Sequence, residues 1–127
     1  MADVKVNQWR VKFALSGGFV GLRKTLELSN VGWMILSDEK KKQRVTLQLS
    51  GEDVNKITGL MVEARQLQPV DELPYCADCY QYQLYIHIDK QDLFFRANDL
   101  NLVESGLDRL VKALMALQER AASGQAN

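Results

Sequence analysis

The feature that most constrains this sequence is a strict alternation of side-chain types over residues 80–88. This segment reads YQYQLYIHI, with apolar or aromatic residues at every second position. A period of two places one set of side chains on a buried sheet face and the other set on the opposite face. The segment therefore predicts a half-buried β-strand, and residues 8–15 predict another. The apolar set of the second segment is Trp9, Val11, Phe13 and Leu15.

A turn signal follows the alternating segment 8–15. Ser16, Gly17 and Gly18 come directly after it, and Gly21 lies three residues further on. Glycine permits the positive φ angles that tight turns require. Residues 22–28 then alternate again. The two strands and the glycine-rich segment between them predict a β-hairpin with a loop longer than the minimal two residues.

Residues 29–46 read as an extra, hairpin-like insertion after this first hairpin. An apolar run at 31–36 is followed by a charged run at 38–44 and by alternation at 45–49. These patterns predict additional strand material with the charged run at its solvated turn. After the acidic, proline-containing linker at 69–78, the segment 89–92 predicts a second turn and 93–96 a return strand.

Two segments carry apolar residues at helical spacing. The first begins at Ser50, which can cap a helix with Asp53 three residues later, and we expect Pro69 to end it. The second begins near Asn101, with Glu104 as its capping partner. The apolar stripe of the first is Val54, Ile57, Leu60, Met61, Ala64 and Leu67, and that of the second is Val103, Leu107, Leu110, Val111, Leu114 and Leu117. One apolar face on each helix predicts packing against a sheet.

The sequence therefore predicts an α+β fold. We expect an antiparallel sheet of four or more strands packed with two helices, in the order β-β-(extra β)-α-β-β-α. The length of 127 residues fits a single domain covering 1–127, with an ordered core over about 8–120. The tail after Arg120 is small and polar and predicts fraying.

Charge and hydropathy exclude several classes of partner. Sixteen basic and sixteen acidic residues cancel, whereas binding to nucleic acid or to an anionic membrane surface favours a basic excess. No apolar run approaches the roughly 20 residues of a membrane span. The first residues lack the apolar core of a signal peptide. We therefore expect a cytoplasmic protein that binds neither nucleic acid nor membrane.

The residues suited to catalysis are few. His87 is the only histidine, and its place on the polar side of a strand predicts an exposed residue without a catalytic partner. Cys76 and Cys79 have the spacing of zinc and redox pairs, but a second ligand pair is absent and they precede a strand instead of following one. We expect two ordinary thiols, no metal, no cofactor and no enzymatic activity.

Binding function therefore falls to the loops. Phe19 lies between Gly18 and Gly21 in the glycine-rich loop, where it can enter a pocket on a partner or fold back onto the core. Asp71 and Glu72 lie in the linker, either as a solvated segment or as an acidic element offered to a cationic site. The sequence leaves both choices open.

Two segments resemble a known family. The strand that leads into Ser16-Gly17-Gly18-Phe19-Val20-Gly21-Leu22, and Asp78-Cys79-Tyr80-Gln81-Tyr82 at the start of a later strand, resemble emfourin and its relatives. These are small bacterial and archaeal protein inhibitors of thermolysin-like zinc metalloproteases. The resemblance extends from about Trp9 to the end of the last helix, and the family's β-β-α-β-β-α order is similar to the predicted one. The insertion at 29–46 and the two cysteines depart from the family's pattern.

The resemblance implies a cytoplasmic, non-catalytic inhibitor that occupies the active-site cleft of such a protease. A blocking protein needs an apolar anchor, and a carboxylate near the zinc supplies a second contact. Under this interpretation the partner-binding residues are Gly17, Gly18, Phe19, Gly21, Glu27, Asp71 and Glu72. Phe19 is the anchor, and Glu27 or the Asp71–Glu72 pair supplies the carboxylate. The alternative is a structural or regulatory interaction module, monomeric or homodimeric, that uses a sheet face or edge.

Overall fold

The computed structural model of the chain describes residues 8–18, 21–69 and 72–122. These residues form one six-stranded antiparallel sheet and two helices, which confirms the α+β class. The elements are β1 (Trp9–Gly17), β2 (Leu22–Ser29), β3 (Trp33–Asp38), β4 (Gln43–Gln48), α1 (Gly51–Ala64), β5 (Tyr80–Ile88), β6 (Gln91–Asn98) and α2 (Asp108–Ala122).

The strands lie in the order β4-β3-β2-β1-β5-β6. The predicted insertion is thus a β3–β4 hairpin that continues the sheet beyond β2, and four strands precede the first helix. Its charged turn is fixed by the Asp38 carboxylate, which accepts hydrogen bonds from the backbone N–H groups of Lys40 and Lys41 at 3.1 and 3.2 Å. Strand β1 lies at the centre of the sheet, paired with both β2 and β5.

The alternation seen in the sequence sets the two faces of this sheet. Phe13 lies opposite Leu26 on β2 and Leu84 on β5, and all three are buried under the helices. The apolar stripes of α1 and α2 pack on this face, so that burial of apolar surface from strands and helices drives the fold. The opposite face of the sheet carries neither helix, and we call it the open face.

Helix α1 begins as predicted and ends earlier than predicted. The Ser50 hydroxyl accepts a hydrogen bond from the backbone N–H of Asp53 at 3.1 Å, which satisfies one of the free N–H groups of the first turn. The helix ends at Ala64 and not at Pro69. The chain tightens there, because the N–H groups of Gln66 and Leu67 bond to carbonyls only three residues back.

Helix α2 begins at Asp108, so the predicted start near Asn101 is wrong. Residues 99–106 form turns, and Gly106 has a φ of +82°, a left-handed conformation that interrupts a right-handed helix. Val103, predicted to lie on the apolar stripe, is 71% exposed. The remaining stripe residues from Leu107 onward are buried as predicted.

The two helices are joined by ion pairs at their outer surface. The Arg120 guanidinium donates to the Asp53 carboxylate at 2.8 Å, and Arg109 donates to Glu63 at 2.9 Å. The hydrogen bond from Arg120 holds the pKa of the Asp53 carboxyl below its usual value. Among the described residues, neither helix combines the length and the apolar character needed to cross a bilayer.

Candidate functional site

The glycines of the predicted loop meet the start of β5 at one end of the sheet. Gly17 lies opposite Tyr80 in the β1–β5 register. The N–H of Gly18 donates to the carbonyl of Cys79 at 3.0 Å, and the N–H of Gly21 donates to the carbonyl of Gly18 at 3.2 Å. We call Gly17, Gly18, Gly21, Cys79 and Tyr80 the glycine-loop surface. It joins two segments that are far apart in the sequence, residues 16–22 and 78–82.

Glycine is required at two of these positions for two reasons. Gly17 and Gly18 have φ angles of +86° and +73°, which side-chain-bearing residues rarely adopt. A Cβ on Gly17 would lie 2.9 Å from the Cys79 carbonyl oxygen, and a Cβ on Gly18 would lie 2.4 Å from the Tyr80 ring. Gly21 also has a positive φ, but a Cβ there would meet no atom within 4 Å.

Asp99 holds the start of β5 in place. Its carboxylate accepts a hydrogen bond from the Tyr80 backbone N–H at 2.8 Å and another from the Tyr82 hydroxyl. Burial, and then the bond to Asp99, raises the pKa of the Tyr82 hydroxyl well above its usual value. Tyr82 therefore remains a neutral donor at ordinary pH. Sequence reasoning missed Asp99, although an Asp directly after a strand is a common turn residue.

The two cysteines form a disulfide, so the expectation of two ordinary thiols is wrong. The Cα atoms of Cys76 and Cys79 lie 5.6 Å apart, within the range that a disulfide spans. The Asn98 side chain donates to the Pro74 carbonyl at 2.8 Å and holds the preceding segment. The disulfide and Asn98 together position the Cys79 carbonyl that accepts from Gly18.

The other predicted site residues do not all lie at this surface. Phe19 and Asp71 fall outside the described residues. Glu72 is exposed in the linker. Glu27 is exposed on the open face, five residues along β2 from Leu22, or about 16 Å at about 3.3 Å per residue. Glu27 and the glycine-loop surface therefore lie on separate regions.

The open face carries a trough of about 600 Å³. Trp33 and Ile35 on β3 form one wall, and Tyr85 and Phe94 on β5 and β6 form the other. The floor lies between them on β1 and β2. Lys12 on β1 is paired with Glu27 on β2 and with Tyr85 on β5. Arg10, Lys12, Glu27, Trp33, Ile35, Tyr85, His87, Asp92 and Phe94 are among the lining residues.

The aromatic walls are solvent-accessible to an unusual degree. Trp33 is 53% exposed, Tyr85 50% and Phe94 39%, and the rings of Tyr85 and Phe94 stack with centroids 4.5 Å apart. The sequence allowed a sheet face or edge as an interaction surface. It did not identify these residues as the walls of one trough, because the partners of Tyr85 across the strands become known only from the register.

The position of His87 on this face disfavours nucleophilic catalysis. Its Nδ1 lies 2.7 Å from an Asp92 carboxylate oxygen. Ser29, the serine in the same cross-strand row, is separated from His87 by Arg10 on β1, which places the two strands about 10 Å apart. A Ser–His pair needs hydrogen-bond contact. Among the described residues, no cluster of His, Cys, Asp or Glu is suited to holding a metal ion.

Comparison with known proteins leaves the family open. A scan against protein-family models and a search of curated proteins both found no match to this chain. The two surfaces described above therefore carry the functional argument.

Proposed function

We propose that this protein is a non-catalytic inhibitor of a thermolysin-like zinc metalloprotease and binds through the glycine-loop surface. One observation carries the proposal. The two short segments that resemble the emfourin family are far apart in the sequence, yet they meet through the Gly17–Tyr80 register and the hydrogen bond from Gly18 to Cys79. This contact supports the proposal that both segments belong to one binding surface.

The surface has properties that an active-site inhibitor needs. Glycines without side chains allow the backbone to approach the walls of a cleft closely. Asp99, Asn98 and the disulfide hold the neighbouring segment in place, which lowers the entropy that binding would cost. We assign Phe19 the role of apolar anchor. Glu27 lies about 16 Å along β2 from Leu22 at about 3.3 Å per residue, away from the glycine-loop surface. We therefore assign Glu27 a contact at the rim of the cleft, and we assign the same role to Glu72 or Asp71 in the linker.

The compartment bears on the disulfide. We propose that the inhibitor acts in the cytoplasm of a bacterium, where thioredoxin and glutathione keep most thiols reduced. There the Cys76–Cys79 disulfide would form only on oxidation. The hydrogen bonds that Asp99 and Asn98 make would hold the start of β5 in both redox states.

An inhibition assay with two matched phenylalanine variants tests the proposal. Phe19→Ala is expected to weaken inhibition of a thermolysin-like protease at least about ten-fold, equivalent to about 1.4 kcal/mol of lost binding energy. Phe94→Ala, on the remote open face, is expected to leave the inhibition constant unchanged. A wild-type protein that inhibits no thermolysin-like protease would rule the proposal out, as would inhibition that depends on Phe94 and not on Phe19.

A second candidate function rests on the open face. Contiguous exposed apolar side chains mark interaction sites more often than isolated ones do, and the trough walls expose Trp33, Tyr85 and Phe94 together. We propose as the alternative a non-catalytic interaction module that uses this face. The paired variant Trp33→Ser/Tyr85→Ser is expected to abolish partner binding or self-association while the unfolding temperature is kept within a few degrees. The alternative would be contradicted if the substitutions changed neither the mass measured by light scattering nor the affinity for a partner.

A further inference from the structure

We infer that the open face binds an acidic polypeptide segment that also carries apolar side chains. This inference rests on the second of the two proposed functions and specifies the chemistry of the partner. Three properties of the face support it: its charge, its exposed aromatic walls and the width of the trough between them.

The charge of the open face differs from that of the whole chain. The chain has sixteen basic and sixteen acidic residues. The cross-strand register, however, places five basic residues and two acidic residues on the described positions of this face. The basic residues are Arg10, Lys12, Arg23, Arg44 and Arg96, and the acidic ones are Glu27 and Asp92. The lining of the trough has two basic residues, Arg10 and Lys12, and two acidic residues, Glu27 and Asp92. The basic excess comes from Arg23, Arg44 and Arg96 elsewhere on the face, which as a whole is basic within a neutral protein.

Part of this charge is already neutralised and part is available. Arg23 pairs with Glu39 at 3.7 Å, and Asp92 lies against His87. Arg10, Lys12 and Arg44 are exposed and make no ion pair of 4.0 Å or less with another described residue. Arg10 and Lys12 lie on the floor of the trough, where Glu27 is opposite Lys12 in the register. A carboxylate bound away from Glu27 would meet Arg10 and Lys12 between two apolar walls.

The width of the trough suits a single polypeptide segment. Ile35 on β3 and Tyr85 on β5 lie in one cross-strand row, separated by β2 and β1. Three strand spacings amount to about 14 Å between the walls. An extended segment or one helix of about 10 Å diameter can lie along it. Apolar side chains of the segment would pack on the walls while its carboxylates reach the floor.

Two other occupants fit less well. A second copy docked face to face would bring two basic surfaces together, and like charges across an interface are unfavourable. A nucleic acid would place its continuous phosphates near Glu27 and Asp92, which lie in the same trough. A polypeptide can space its carboxylates to avoid these two residues. An acidic segment with apolar side chains is thus the occupant that the charges favour.

A titration with defined copolymers tests the inference. The probe is a random Glu–Tyr copolymer, compared with polyglutamate and with a Lys–Tyr copolymer, and binding is measured by calorimetry and by tryptophan fluorescence. Trp9 is fully buried whereas Trp33 is half exposed, so a change in emission reports the open face. We expect the Glu–Tyr copolymer to bind at least about ten-fold more tightly than either comparison polymer. Raising the salt concentration should weaken it, because exposed charges are screened.

Matched lysine and arginine variants locate the site. Arg10→Gln/Lys12→Gln is expected to weaken binding of the Glu–Tyr copolymer about ten-fold, and Trp33→Ala about five-fold. The control Lys56→Gln/Lys112→Gln removes two exposed charges from α1 and α2 and is expected to leave the affinity unchanged. Thermal unfolding of each variant confirms that the fold is intact.

Several results would overturn the inference. One is equal weakening by the Arg10/Lys12 and the Lys56/Lys112 variants, and another is equal binding of the Lys–Tyr copolymer. Tighter binding of oligothymidylate would indicate a nucleic-acid site instead. A concentration-dependent dimer that Trp33→Ala abolishes would also overturn the inference of an acidic partner, but it would agree with an interaction module. If no probe bound and the chain stayed monomeric, the result would contradict both the acidic partner and the interaction module.

Discussion

Trp9→Ala is expected to destabilise the protein by about 3–5 kcal/mol, the typical range for removing a large aromatic side chain from a core. Trp9 is fully buried at the start of the central strand β1. Its indole N–H donates to the Thr58 hydroxyl on α1 at 2.8 Å. The backbone N–H of Trp9 donates to the side-chain oxygen of Asn30 at 3.1 Å. Trp9 thus joins the sheet, the first helix and the β2–β3 turn.

Urea unfolding of four variants tests this expectation. Trp33→Ala is the matched control, because it removes the same side chain from an exposed position and is expected to cost less than about 1 kcal/mol. Thr58→Val removes the hydroxyl that accepts from the Trp9 indole and donates to the Val54 carbonyl at 2.8 Å, and it is expected to cost about 1–2 kcal/mol. The loss of unfolding free energy for Trp9→Phe should lie between the losses for Thr58→Val and Trp9→Ala. Equal costs for Trp9→Ala and Trp33→Ala would contradict the packing described for β1 and α1.

The strands were predictable because each carries its own local pattern. Alternation in 8–15 and 80–88 assigned the buried faces of β1 and β5 correctly, since a period of two allows only one burial arrangement on a half-buried sheet. The cap of α1 was also predictable, because Ser50 and Asp53 act over three residues. What these features share is that the interactions that decide them are close in the sequence.

The start of α2 could not be predicted in the same way. Val103 lies at helical spacing from Leu107 and the later stripe residues, yet contacts from outside the segment decide the structure of residues 101–106. The Asn101 side chain accepts a hydrogen bond from the Asn98 N–H at 2.8 Å, and a Cβ on Gly106 would lie 2.8 Å from the Leu67 side chain. Helix propensity is weaker than such tertiary contacts.

The residues that line the open face could not be predicted, for a related reason. Trp33, Tyr85 and Phe94 each occupy a predictable position on their own strand. That they line one trough depends on the strand order, which places β3 beyond β2 and β6 beyond β5. The excess of basic residues on this face likewise emerges only when the five registers between the strands are known. Whole-chain charge therefore gave no indication of it.

Gly18→Ala is expected to destabilise the protein by about 2–5 kcal/mol and to weaken the proposed inhibition. Gly18 has a φ of +73°, and a left-handed conformation costs an alanine about 1–2 kcal/mol. The added Cβ would also lie 2.4 Å from the Tyr80 ring, so the ring or the loop must move, and overpacking typically costs about 1–3 kcal/mol. Such a shift would lengthen the hydrogen bond from Gly18 to the Cys79 carbonyl.

Gly21→Ala separates these two causes. Gly21 has a φ of +66°, but a Cβ there meets nothing within 4 Å, so only the conformational cost of about 1–2 kcal/mol remains. In urea unfolding, the free energy of unfolding of Gly18→Ala should be at least about 1 kcal/mol lower than that of Gly21→Ala. In the inhibition assay Gly18→Ala should lose potency under conditions where both variants are fully folded. Equal stability of the two variants would mean that Tyr80 yields to the added methyl group at no cost. Equal potency would mean that the junction of the loop with β5 does not shape the binding surface, since the contact with Tyr80 is what distinguishes the two glycines.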